Sequence, residues 1–448
     1  FRRKRMRIQL SSHFTYRKLL RFTISPILMM ICTSLYSIVD GFFVSNFVGK
    51  TPFAAVNLIM PIVMGIGSVG FMIGAGGNAV ISKTLGEGKK KQADQYFSML
   101  IYTAAVIGLI LSVIGFIFIK PISIALGATG DLLESCIQYG QIIFVSMPAF
   151  ILQNIFQNFF ITAEKPALSL RISLIAGITN ALLDFLFMGV FHWGIAGAAF
   201  ATALGQVVGG LIPIMYFSKE NDSLLRLTKT KFDGKILFKT CTNGSSEMVA
   251  NLSTSSVSIL YNFQLMKMAG ENGIAAYGII MYVNFIFMAI FMGFSIGTAP
   301  VVGYHYGAAN HKELKSLFGK SIKLMVISGV VMTVLAEILT RPLITIFAGY
   351  DMELFNMACQ GFRLYSIAFM LMGINIWGSA FFTALNNGVI SATISFLRTF
   401  VFQVIIILIL PMIFGINGIW LSVVVSELLA LFVTILFFLK TKEKYQFA

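Results

Sequence analysis

Apolar residues run through this chain in long blocks separated by short polar stretches. A helix needs about 20 apolar residues to cross a bilayer, at about 1.5 Å rise per residue. Twelve such runs stand at about 20–46, 53–82, 96–119, 135–161, 167–190, 195–217, 239–266, 274–303, 319–340, 355–384, 389–413 and 416–439. Several exceed the minimum, which predicts tilt or extension beyond the lipid. The pattern predicts an all-α integral membrane protein with twelve transmembrane helices.

The pattern also occurs twice. Val48-Gly49 through Ala54-Ala55 to Met60 is echoed about 221 positions later by Ala269-Gly270 through Ala275-Ala276 to Met281. Gly70-Phe71-Met72-Ile73-Gly74 is echoed by Gly293-Phe294-Ser295-Ile296-Gly297 at nearly the same shift, and Trp193-Gly194-Ile195 by Phe414-Gly415-Ile416. Six spans per copy start both copies on the same side. The two six-helix bundles are therefore expected to be related by a pseudo-two-fold along the membrane normal. Residues 1–217 form the first bundle, 218–238 a cytoplasmic linker and 239–448 the second. The linker reads as a solvated tether.

Composition agrees: 57% of residues are hydrophobic and 11% charged, with mean hydropathy +0.85, where a soluble domain carries about 25% charged residues. The net charge of +15 raises a nucleic-acid reading, and its distribution removes it. About 28 of the 33 Lys and Arg, with Arg398 counted among them, fall on one side of the twelve spans. Cytoplasmic loops are enriched in these residues, so both termini are expected in the cytoplasm of a multi-pass cell-membrane protein. The first span runs on without a small-residue cleavage site, so no cleavable signal peptide is expected; a chain opening on Phe1 is expected to have lost its native start.

The four Cys lack metal-ligand spacing and read as small apolar residues. No HExxH pair, GxSxG turn or phosphate-cradling loop is present, which argues against an enzyme and against internal ATP hydrolysis. Any work done would draw on an ion gradient.

Five acids fall inside spans: Asp40, Asp184, Glu247, Glu337 and Glu427. Ionisable groups in a membrane are costly and mark functional candidates. Glu337 precedes Arg341 by four residues and reads as a structural ion pair. Asp40 and Asp184 each lie about six residues, roughly 9 Å, below the outer ends of spans 1 and 5. Asn180 is one turn from Asp184, and Thr202 of span 6 reaches the same depth. Two carboxylates, an amide and a hydroxyl offer oxygens for a small cation such as Na⁺, or a place to share a proton. At the 221 offset the second copy has Tyr261 and Ile405 instead, which confines this site to the first half. Glu247 either meets a cationic substrate or snorkels toward the cytoplasm. Glu427 either pairs with Asn or Ser neighbours or serves function. Tyr36, Tyr139, Asn154, Gln157, Asn158, Glu247 and Asn375 are candidates for lining a substrate cavity, although the span-4 amides could equally bond helix to helix. Pro26 is expected to kink span 1.

These residues resemble the multidrug and toxic compound extrusion (MATE) family. The resemblance covers essentially the whole chain. It rests on Tyr36-Ser37-Ile38-Val39-Asp40-Gly41-Phe42, Asn180-Ala181-Leu182-Leu183-Asp184, and the run Gly194-Ile195-Ala196-Gly197-Ala198-Ala199 leading to Thr202. It implies a V-shaped pair of bundles that exports organic, often cationic, amphiphilic compounds in exchange for inward Na⁺ or H⁺, with no other cofactor and as a monomer. It also implies that Asp40, Asn180, Asp184 and Thr202 hold the coupling ion. Some members use an Asp in span 10, where this chain has Asn375.

A lipid-linked precursor flippase of related two-bundle fold is the alternative. It would need a cavity rich in Arg and Lys, which the apolar runs lack. A major-facilitator carrier is disfavoured because the loop after span 2 reads Gly86-Glu87-Gly88-Lys89-Lys90-Lys91.

Overall fold

The computed structural model of the chain describes residues 8–349 and 351–447; the basic run from Arg2 to Arg7 lies outside them. Every regular element among the described residues is a helix. The first half comprises α1 (Tyr16–Phe43), α2 (Lys50–Gly86), α3 (Lys90–Ala125), α4 (Gly130–Val145), α5 (Met147–Thr162), α6 (Pro166–Asp184) and α7 (Gly194–Ser218). The second comprises α8 (Gly234–Gly307), α9 (His311–Ala348), α10 (Met352–Ser366), α11 (Phe369–Ala384), α12 (Gly388–Phe396), α13 (Phe402–Phe414) and α14 (Ile416–Tyr445). Among the described residues nine helical stretches are long and apolar enough to cross a membrane. One of them, α8, reverses at Gly270 and makes two spans. The bent pairs α4–α5 (54°) and α10–α11 (52°) add one span each, which brings the number to the expected twelve.

The duplication is written into the backbone. Left-handed residues fall at Gly49 and Gly270, Gly88 and Ala309, and Gly194 and Gly415, each pair separated by the offset read from sequence. The chain therefore turns at matching places in both halves. Buried apolar side chains form two cores, one centred in each half, and Leu10, Phe14, Leu19, Phe22 and Ile161 of the first half join the core of the second. The outer stripe of α3 (Val106, Leu109, Ile110, Val113, Ile117) is exposed and apolar at helical spacing, the face that lipid covers.

The lobes meet along α2 and α8, with α1 packed on the second arm of α8. A Cβ on Gly76 would collide with the Thr240 carbonyl, and one on Gly244 with the Met72 carbonyl, so glycine permits the crossing. Asn386 of the second lobe donates to the Ala79 carbonyl of the first (3.0 Å). The glycine close approaches between lobes run from this basic side only as far as Gly65 against Leu252. Ser34 and Phe285 mark the same level (3.5 Å).

Residues ahead of α1 strap the basic side. Leu10 N donates to Glu164 of the first lobe (2.7 Å), and Phe14 N to Glu313 of the second (2.8 Å). Leu10 and Phe14 are fully buried.

Two sequence expectations change here. The linker is not a solvated tether. Arg226 N donates to Asp94 (3.0 Å), Thr228 N to Ser98 (2.8 Å), and Leu225 is buried, so the segment docks along α3 with its backbone groups satisfied. Glu337 pairs not with Arg341 but with Arg363 of α10 (3.8 Å), and Ser366 donates to it (2.8 Å).

Charge-assisted hydrogen bonds contribute about 1.5–3 kcal/mol each. Replacing Glu164 and Glu313 together by Ala should therefore loosen the basic side. With spin labels at exposed Lys91 and Lys312, the interlobe distance distribution should gain a longer component. An unchanged distribution would show that the strap ties nothing.

Candidate functional site

Asp40 lies in the last turn of α1. The helix does not end there but widens into a π-turn, Val44–Val48, with Val44 N shared between the Asp40 and Gly41 carbonyls. Asp184 closes α6 in the same manner, followed by the π-turn Phe185–Val190, with Phe185 N shared between Ala181 and Leu182. The two π-turns pack on each other. A π-turn breaks the regular spacing of side chains, and such turns recur at functional sites. Asn180 stands one turn before Asp184. Opposite it on α7 is Gly205, where an added Cβ would lie 3.0 Å from Asn180 Cβ, so α7 brings Thr202 close.

The Asp40 and Asp184 carboxyl groups lie within electrostatic reach of each other. Tyr139 of α4, 1% exposed, lies in the field of both. Among the described residues thirteen buried side-chain polar atoms lack a partner, and six of them belong to this cluster. They are Asp40 Oδ1, both oxygens of Asp184, Asn180 Nδ2, Thr202 Oγ1 and Tyr139 Oη. Buried polar atoms are ordinarily bonded. Ionised carboxylates carry acceptors only, so the Asp40–Asp184 contact becomes favourable when a proton or a small cation lies between them. The Asn180 amide, turned to present its oxygen, and the two hydroxyls complete a set of hard oxygen ligands.

The structure thus sets Asp40, Asp184 and Tyr139, the last expected instead in a substrate cavity, within reach of one another, with Asn180 one turn from Asp184 and Thr202 on the adjoining α7. The signal for Tyr139 was weak, since one Tyr in an apolar run is ordinary core. Tyr36 packs beside the same region against Gly177.

The remaining cavity candidates divide. Asn154 and Asn158 are buried, bond the carbonyls one turn back (3.0 and 3.2 Å) and face Gly70 and Gly74 of α2 within their own lobe. Gln157 lines a small cleft of the first lobe with Gln153, Ser169 and Ser173. Asn375 is fully buried inside the second lobe, donating to Glu427 (2.7 Å) and accepting from Thr434 (3.2 Å). The polar atoms of Asn375 are all bonded within the second lobe. Glu247 is placed differently. It follows Gly244 by one turn on the face α8 turns toward α2, and it is only half-buried.

Arg398 needs correction. Counted with the cytoplasmic charges, it lies about 15 Å along the helix from Gly388, in the π-turn Leu397–Val401 between α12 and α13. Its Nε donates to both oxygens of Glu427 (2.8 and 3.1 Å), a pair buried in the second lobe.

The MatE family model matches residues 26–186 and again 248–409. The chain is 25% identical over 421 residues to the multidrug export protein MepA of Staphylococcus haemolyticus strain JCSC1435, covering 93% of this chain and 92% of that protein. It is 24% identical over 413 residues to MepA of Staphylococcus saprophyticus, covering 92% and 91%. A crystal structure of a MATE protein in complex with MaL6 shares the fold at TM-score 0.93 and 21% identity, covering 97% and 98%. An outward-facing MATE family transporter of the MOP superfamily does so at 0.92 and 22%, covering 99% of each. Both halves match one family model, in the order the repeat requires and on the twelve-helix frame, and the chain belongs to the MatE family of membrane transporters.

Proposed function

We propose that this chain is a secondary antiporter that exports organic, often cationic and amphiphilic, compounds across the cell membrane in exchange for inward Na⁺ or H⁺. The family and the MepA multidrug export relatives support the cargo class. The observation that carries the coupling is the orphaned polar cluster around Asp40 and Asp184. The basic side lies in the cytoplasm with both termini, and the chain works as a monomer.

The lobes are joined on the basic side, so the space between them faces outward. Here the Asp40–Asp184 pair takes up its ion. Asn180, Thr202 and Tyr139 orient and complete the ligand set, and the surrounding helices exclude water. Filling the site removes the mutual repulsion of the two carboxylates. The ends of α1 and α6, already irregular at their π-turns, close on one another, and this biases the lobe toward cargo release. One unit charge moved through 100 mV supplies about 2.3 kcal/mol, so one or two ions sustain a modest cargo gradient.

A lipid-linked precursor flippase would need cationic walls. Arg398 does stand inside a span, contrary to expectation, but Glu427 neutralises it, which leaves the antiporter reading favoured.

Efflux of a fluorescent organic cation from vesicles under an imposed Na⁺ or H⁺ gradient tests the assignment. Asp40→Asn and Asp184→Asn should each lower gradient-driven efflux more than about tenfold, since each removes an ion ligand. Full transport by both would overturn it. Tyr139→Phe removes a single hydroxyl and no charge. It should raise the ion concentration for half-maximal efflux by about 2–10-fold, the worth of one hydrogen bond, with little change at saturating ion. An unchanged half-maximal concentration would place Tyr139 outside the site.

A further inference from the structure

The second lobe carries its own charge cluster. Glu427 is bonded by Arg398 Nε and by Asn375 Nδ2 (2.7 Å), which also donates to the Glu427 carbonyl (2.9 Å). Thr434 anchors Asn375 in turn (3.2 Å). Arg398 donates through Nε alone. Among the described residues its terminal nitrogens have no bonding partner, and 12% of its side chain stays accessible. Glu247, on the face α8 turns toward α2, stands within electrostatic reach of that guanidinium and forms no ion pair among the described residues. The π-turn bearing Arg398 packs on α8. At the 221 offset the first lobe has Pro26, Gly177 and Gln206 where the second has Glu247, Arg398 and Glu427, so the cluster belongs to one lobe only.

An arginine deep in a membrane protein needs a counter-charge. Two carboxylates compete for this one. If Arg398 turned to Glu247, the face toward the interlobe space would be neutral. The three charges sum to −1 in either pairing; held by Glu427, Arg398 leaves the uncompensated charge on Glu247, at the interlobe face.

We propose that Glu427, clamped by Asn375, withholds Arg398 from Glu247 and so makes the interlobe space selective for organic monocations. Glu427 and Asn375 are then positioning residues for specificity, acting through Arg398 without touching cargo. The proposal rests on the cation-export reading above.

The test uses tetraphenylphosphonium and tetraphenylborate, alike in shape and opposite in charge. Binding of each to the purified full-length protein in detergent is measured by equilibrium dialysis. Glu427→Gln should weaken tetraphenylphosphonium binding about tenfold, the effect of satisfying one close charge pair, and strengthen tetraphenylborate binding. Glu427→Gln/Arg398→Gln should restore phosphonium affinity to within about twofold of the parent, because Glu247 is again unpaired. Asn375→Leu, which keeps both charges and loosens the clamp, should move the ratio the same way by a smaller factor. It gives the answer even where Glu427→Gln does not yield a monodisperse protein. A folded Glu427→Gln or Asn375→Leu protein with an unmoved phosphonium-to-borate ratio, or no recovery in the double variant, overturns the proposal alone. A parent that binds no phosphonium overturns the cation-export reading and this proposal with it.

Discussion

Two neighbouring carboxyl groups lie in a helical bundle with three of their four oxygens unpartnered among the described residues, and much of the first lobe is arranged around that fact. Burying polar groups without partners costs several kcal/mol in a membrane setting. Asp40 and Asp184 share this part of the lobe with the Asn180 amide and the Thr202 and Tyr139 hydroxyls, which likewise lack partners among the described residues. A fold can hold such a cluster when an ion occupies it for part of a cycle. The π-turns that follow both acids place the irregular backbone where a change in occupancy must be absorbed.

The two halves share a frame and divide the electrostatics. Their backbones turn at matching residues, Gly49 with Gly270 and Gly194 with Gly415. The first lobe keeps paired acids where the second has Tyr261 and Ile405, and the second keeps Glu247, Arg398 and Glu427 where the first is uncharged. The proposed ion site in one lobe and a charge cluster of net −1 in the other can then be biased separately. The α2–α8 crossing and the strap from Leu10 to Phe14 join the lobes on one side and leave the other free to part.

The spans, the repeat and the pairing of Asp40 with Asp184 are legible because each leaves a local mark: an apolar run, a constant offset, or an acid where lipid forbids one. What was missed depends on which neighbour a side chain finds. Tyr139 looks like any core aromatic until the packing of the lobe sets it, buried, in the field of Asp40 and Asp184. Arg398 falls within the apolar run 389–413 yet is counted with the cytoplasmic charges; only the packing of α14 supplies Glu427 as its partner. The i, i+4 spacing of Glu337 and Arg341 is correct for a pair, yet Arg363 on a neighbouring helix takes the acid. The docked linker gave no sequence signal because its contacts are mostly made by backbone groups.

The central claim is that the Asp40–Asp184 pair takes up the coupling ion. Infrared difference spectroscopy on the purified protein, recorded on changing Na⁺ and then pH, reads those carboxyl groups directly. The account predicts a carboxyl band that responds to one of the two ions and disappears in both Asp40→Asn and Asp184→Asn. A band of undiminished size in both variants, carried by acids elsewhere in the chain, would contradict it.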